Sequence, residues 1–451
     1  MTIIQKTRIA IACVVACMSQ MATAQTITFT GGSAEQRAVY VERPATSTGL
    51  NYLYVLYDAQ GVTMNYTASD ATAQVQWLVF DSKGGGYAQV LEGVVRKGAT
   101  TYKTDIAADC GYIIEEGTKR TYLWLVDYSK YPLRLDGVEV VNDSDCGTTT
   151  LALQGTGAEI PYYTINGVRQ VMERGIEMAY NTLEPAEGNK EWVQTPVTKL
   201  LQGVKEKVSV PAILCNTELT VKGDKLLEYW GEPTQLVSTN VLPVAVNVLT
   251  TAVQTPHESD NIRGKDTGLG GSAPCEITFT AVGTDAVTHG EWQMSYDSNF
   301  EDIEQRFMQD VYVAYIEESG TTYWRFLGTN ASGECVAESE TYTVNVGESE
   351  LLCPNAFSPQ NQDGVNDVWK VSYRSLLSFE CHIFNRWGVK MISFNNPDQG
   401  WDGRYNGKFV SPGAYYYVIV ARGSDGKEYK MKGDINIVGT REEDVTPPPV
   451  E

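Results

Sequence analysis

The sequence predicts an all-β chain, a row of β-sandwiches ending in a smaller one, and three observations carry that prediction. With 26 Tyr and 41 Gly, and Thr and Val plentiful beside them, the composition suits strands and tight turns, whereas helix-period segments are scarce. Short segments alternate apolar and polar residues with a period of two: Ile277, Phe279 and Ala281 against Glu276, Thr278 and Thr280. Large aromatics sit inside such segments, where a two-sheet core needs bulk.

Taken in order, the chain opens with Lys6 and Arg8, an apolar stretch from Ile9 to Met18, and Ala22-Thr23-Ala24 before Gln25. These are the three parts of a secretory signal peptide, residues 1–24. A competing reading takes Val14-Val15-Ala16-Cys17 as a loose lipobox that would place a lipid on Cys17. The apolar stretch is too short to span a bilayer, and no later segment reaches the roughly 18 to 20 apolar residues a transmembrane helix requires.

Residues 25–142 form the first expected sandwich, with strands in Asn51–Asp58, Gln74–Phe80 and Thr121–Tyr128; Trp77, Tyr122 and Trp124 are its core aromatics. Residues 143–259 are less regular. Tyr162–Ile165, Leu219–Val221 and Leu242–Leu249 read as strands, but Val171–Tyr180 fits a strand or a short helix equally well. Residues 260–348 carry the order Cys275, Trp292, Cys335, with Tyr323-Trp324 before the second cysteine and Tyr342, Val344 and Val346 after it. That order with alternating strands is an immunoglobulin-like or PKD-like pattern. Linkers are expected at Asn142–Asp145, at His257–Gly271 and at Gly347–Glu350, and the Pro-rich tail, 441–451, reads as disordered.

The segment 349–440 holds a dense run of motifs. Cys353-Pro354-Asn355-Ala356-Phe357-Ser358-Pro359 leads into a turn containing Asp363, Gly364, Asn366 and Asp367. Then come Asn385-Arg386-Trp387-Gly388, Trp401-Asp402-Gly403 and Pro412-Gly413-Ala414-Tyr415. The last strand, Tyr429–Val438, alternates: Tyr429, Met431, Ile435 and Ile437 face one way, Lys430, Lys432, Asp434 and Asn436 the other. This ordered set resembles the gliding motility-associated C-terminal domain, the type B sorting domain of the Bacteroidetes type IX secretion system. Where that family's usual Asn-Gly-Asp-Gly turn stands, this chain reads Gln360-Asn361-Gln362-Asp363-Gly364. The resemblance implies a small β-sandwich that addresses an outer-membrane translocon, and so export through the periplasm to the outer-membrane surface or the medium. It supplies an address and names no activity.

An exported chain meets an oxidising compartment, so the seven cysteines left after the leader are expected in disulfides. The expected pairs are Cys110 with Cys146, Cys275 with Cys335, and Cys353 with Cys381, leaving Cys215 unpaired; Cys146 with Cys215 is the main rival. The formal charge is −21, and −23 once Lys6 and Arg8 depart with the leader. So acidic a surface repels phosphate backbones and argues against nucleic acid as a partner.

The sequence contains no GxSxG elbow, HExxH or P-loop, and His257, His289 and His382 are scattered. Glu115-Glu116 and Glu317-Glu318 each precede a glycine and read as hairpin turns. No enzyme is expected. The candidate ligand site is the turn carrying Asp363, Asn366 and Asp367, whose oxygens suit calcium, although Asx-turn hydrogen bonds use the same residues without an ion. No other cofactor is expected. Function is therefore read as adhesion, envelope structure or interaction by a non-enzymatic surface protein, with envelope proteins or cell-surface polysaccharide as partners. The alternative is a glycan-binding or polysaccharide-processing accessory, in which exposed Trp and Tyr would stack on sugar rings.

Overall fold

A computed structural model describes residues 26–141, 145–188, 190–257, 259–263 and 268–439. The leader, the Cys17 lipobox and the 441–451 tail lie outside the described residues, as do Asn142 to Ser144 of the first expected linker. Four sandwich units follow one another. Among the described residues the single α-helix is Lys225–Tyr229, which Asp224 caps by accepting the Leu227 N–H at 2.9 Å.

The first unit packs a four-stranded sheet (Ile27–Thr30, Thr63–Thr67, Thr100–Lys103, Val95–Lys97) on a six-stranded one built around Lys119–Asp127 and Cys110–Glu116. Alternation along Lys119–Asp127 buries both faces. Leu123 and Leu125 meet Met64, Tyr66 and Trp77 inside the unit, while Trp124 and Val126 face outward into the second unit's core. Trp77 is thus a core aromatic as expected, with its Nε1–H donating to Thr101 Oγ1 at 3.1 Å. Trp124 is a core aromatic too, but of the core shared with the second unit; its ring lies 5.4 Å from Tyr163 across the junction. Period two alone cannot say which of two buried faces is the domestic one.

The second unit begins at Arg134 and not at 143, because Arg134–Val140 pairs with Thr148–Thr156. Its second sheet orders Trp192–Leu201, Ile176–Pro185, Thr217–Gly223 and Gln235–Val241. The ambiguous stretch resolves into two strands, Arg169–Met172 and Ile176–Pro185. Between them Arg174 is fully buried. Its guanidinium lies 2.7 Å from the buried Asp224 carboxylate, donates to the Ala158 and Tyr131 carbonyls, and shares Asp224 with the Tyr128 hydroxyl of the first unit.

The third unit begins at Val248, where Val248–Gln254 pairs with Cys275–Gly283; Leu242, expected in a strand, is exposed in the connection. Phe279, Trp292, Trp324 and Phe326 fill its core, Phe279 stacking on Trp324 at 4.6 Å. Part of the expected His257–Gly271 linker is tied down. Asn261 donates to the Val371 and Pro397 carbonyls of the C-terminal unit, Ile262 bridges Tyr373, and Leu269–Gly271 pairs with Tyr342–Val346.

The C-terminal unit is a five-stranded sheet ordered Ala356–Phe357, Glu428–Ile437, Gly413–Gly423, Leu376–Phe384 and Lys390–Phe394, covered on one face by Trp369, Trp401 and their neighbours. Its last strand alternates as read: Tyr429, Ile435 and Ile437 are buried, and Lys430, Lys432, Asp434 and Asn436 are exposed.

The disulfide expectations are overturned. Cys146 pairs with Cys335, 189 residues away, with the Cα atoms 5.5 Å apart, and clamps the second unit to the third. Cys275 and Cys335 lie at opposite ends of the sandwich. Strand Cys275–Gly283 spans about 26 Å at its rise per residue, and Cys335 sits at the Gly283 end, beside Thr329 and Val336. Cys110 remains a thiol against Ala107 O and the Tyr112 hydroxyl. The rival Cys146–Cys215 pair is absent too, Cys215 being a buried thiol near Asn181 O. Cys353 and Cys381 also stay free, and burial, and then the neighbouring Cys353, pushes the Cys381 thiol up to about 12.

Candidate functional site

The motif residues of the C-terminal unit divide into three groups by what they do locally. Phe357, Trp401 and Tyr415 are core. Trp401 is wholly buried, its ring 5.5 Å from Phe357 and 5.1 Å from Tyr415; its indole N–H donates to Arg404 O at 3.0 Å, and its backbone exchanges two hydrogen bonds with Trp369. Tyr415 in turn donates to Ser411 O, beside Pro412 and Gly413.

A second group makes turns. Asp402 accepts the Arg404 N–H, and Gly403 has φ +71 with Pro359 so close that an added Cβ would lie 2.6 Å from it. In the candidate calcium turn, Asp363 accepts from Val365 N at 2.8 Å and from the Asn361 amide at 2.9 Å, and Asp367 accepts from Gly364 N at 2.8 Å. Gln362, Gly364 and Asn366 all take left-handed φ values. The turn's own N–H groups thus occupy an oxygen of each carboxylate: the Val365 N–H makes an Asx turn with Asp363, and Asp367 reaches back to the Gly364 N–H three residues earlier. Asn355 accepts the Asn436 N–H and seats the first strand of the unit against the last.

The third group is exposed. At the tip of the hairpin between Leu376–Phe384 and Lys390–Phe394, Asn385 Oδ1 accepts from both Trp387 N and Val389 N at 3.0 Å, and Gly388 closes the turn at φ +80. Trp387 stands 75% exposed with the Arg386 guanidinium 4.6 Å from its ring centroid. A rigid turn that holds a large ring and a cation in solvent is equipped for recognition.

The remaining candidates are not brought together. His257 approaches Asp398, His382 approaches Glu380, and His289 contacts Thr288. Glu115 and Glu116 lead into a hairpin, where Glu116 accepts from Ser69 and Tyr66; those hydrogen bonds hold its carboxyl below the usual range. Glu317 and Glu318 connect two different sheets and so are not a hairpin turn. Among the described residues no group of three or more His, Cys, Asp or Glu could hold a metal, and no helix is long and apolar enough to cross a membrane. Reading along the chain missed the buried Arg174–Asp224 pair. Its one signal is an arginine flanked by apolar Val171, Met172 and Ile176.

Residues 351–437 match the CHU_C Type IX secretion signal domain, and residues 139–238 match a fibronectin type III domain. Among solved structures, the chain is 12% identical to a tetra-tandem repeat in the extending region of a large adhesion protein, covering 85% of this chain and 96% of that one at a TM-score of 0.21. It is 11% identical to the Clostridium thermocellum CbhA fibronectin(III)-like modules, covering 43% of this chain and 97% of that one at a TM-score of 0.18. At these TM-scores the fold rests on the sheets described above and not on the superpositions. No curated protein matches. The chain thus carries at 351–437 the signal read from its motifs, which marks it for the type IX secretion system and for export to the cell surface or extracellular space. Both matched domains are of non-catalytic kinds.

Proposed function

We propose that this chain is a non-enzymatic surface protein in which three β-sandwich units serve adhesion, envelope structure or protein interaction and the C-terminal unit is handed to the type IX translocon. The observation that carries the reading is the secretion signal domain at 351–437 behind units whose conspicuous tryptophans, Trp77, Trp124, Trp292 and Trp324, are all spent on packing. The translocon-facing element is the hairpin tip bearing Arg386 and Trp387. The unit's other motif aromatics are buried and cannot touch a partner without unfolding.

Localisation in cells with and without a working type IX translocon tests the address. Surface display is expected only with it, and equal display in both strains would end the proposal. Adhesion of cells lacking this chain, measured against the parent on abiotic and polysaccharide-coated surfaces, tests the role. Attachment is expected to fall on at least one of them.

A further inference from the structure

The third unit contains a cleft that the adhesion reading leaves unexplained. It opens between the strand ends at Met294–Tyr296, the edge strand Val311–Ile316 and the Glu317–Thr322 crossover, with a volume of about 400 Å³, inside the range of small-molecule sites. Its floor is formed by Trp324 and Tyr312, whose rings lie 5.9 Å apart, and Tyr312 stacks in turn on Phe307, outside the lining, at 3.8 Å. Trp324 is closed to ligands at its polar edge, since its Nε1–H already donates to Thr322 Oγ1 at 3.0 Å. The lip is different. Tyr296 and Tyr315 are 61% and 73% exposed in a unit whose core aromatics are otherwise buried. Tyr315 stands opposite Glu276 on the neighbouring strand, whose carboxylate pushes the pKa of its hydroxyl up.

We infer that this cleft binds a neutral oligosaccharide, with Tyr296 and Tyr315 as stacking platforms. No Lys or Arg lines it, which disfavours phosphate, sulfate and uronate ligands. The side chains of Gln305, Thr321, Glu317 and Glu318 line it and make no hydrogen bond or ion pair among the described residues. Amide, hydroxyl and carboxylate together offer donors and acceptors, as sugar hydroxyls require, whereas an ammonium group would use only the carboxylates. Sugar rings present apolar C–H faces that tyrosine rings cover at little cost in side-chain entropy. The inference deepens the adhesion reading by naming a ligand class for it.

The test is calorimetric titration of the purified chain with tetrasaccharides of glucose, xylose and mannose, beside a uronate tetrasaccharide and tetralysine. At least one neutral tetrasaccharide should bind with little salt dependence. Tyr296→Ala and Tyr315→Ala should each weaken it about tenfold, and Tyr87→Ala, an exposed aromatic of the first unit, should leave it unchanged. Gln305→Ala should also weaken it, and melting each variant beside the parent separates lost binding from lost folding. Absence of binding by all three neutral probes, binding indifferent to both tyrosine changes, or binding of tetralysine alone would overturn the inference. Because purified chain is used, none of these outcomes depends on export; cells that adhere while the chain ignores every sugar would sink the cleft and leave the adhesion reading standing.

Discussion

At the residue scale the most consequential side chains are those with the fewest alternatives to their partners. Arg174 and Asp224 are both wholly enclosed, and Tyr128 ties them to the first unit. Removing one charge strands the other in a medium that cannot solvate it, so Arg174→Met or Asp224→Leu should cost about 3–5 kcal/mol, while the double change should recover much of that loss. Chemical denaturation of the four proteins forms the cycle. Glu116 makes the opposite, exposed kind of contact. Because its folded pKa is lowered, chiefly by the Ser69 and Tyr66 hydrogen bonds, its contribution is complete above the ordinary glutamate pKa and is lost as pH falls through the folded value. Melting temperatures across the acid range should therefore decline less steeply for Glu116→Gln than for the parent; identical slopes would remove Glu116 from the account.

At the scale of elements, the C-terminal unit separates packing from recognition. Trp401 joins Phe357, Trp369 and Tyr415 in the core, whereas Trp387 rides an Asn385-pinned hairpin tip in solvent. Trp401→Ala should cost about 3 kcal/mol of that unit's stability and lower export with it. Trp387→Ala should melt like the parent and still lower export, because it removes a contact and no packing. A secretion assay run beside thermal melts distinguishes them, and full export of the Trp387 variant would exclude the tip as the translocon contact. Much of this unit was legible along the chain. Turn residues and the alternation of Tyr429 to Ile437 are local signals, and the backbone obeys them. Which tryptophan faces solvent was not legible, since Arg386-Trp387-Gly388 and Gly400-Trp401-Asp402-Gly403 look alike as glycine-flanked rings.

For the whole molecule, the units are not beads on free linkers. One core runs from Trp124 and Val126 of the first unit to Met178 and Val221 of the second, and the Cys146–Cys335 bridge joins the second to the third. By the chain-entropy argument, closing so long a loop contributes on the order of 5 kcal/mol. Cys146→Ser with Cys335→Ser should broaden the particle's solution-scattering profile while each unit keeps its strand signature in circular dichroism. Unchanged scattering would show that packing alone holds the two units. A chain ending at Glu348 should retain its three upstream units and lose export, although it gives up the contacts of Asn261 and Ile262 with the C-terminal unit.

The sequence by itself determined the all-β class, the tandem-sandwich architecture and the export address, because strand alternation, turn chemistry and the 351–437 motifs are written in neighbouring residues. Tertiary structure alone decided where one unit stops and the next begins, which cysteines meet, that Trp124 belongs to a junction, and that Tyr296 and Tyr315 flank one cleft. These depend on pairs of residues tens to hundreds of positions apart. Whether such pairs approach is set by how sheets stack and strands register, and a pattern of period two carries no record of its partner.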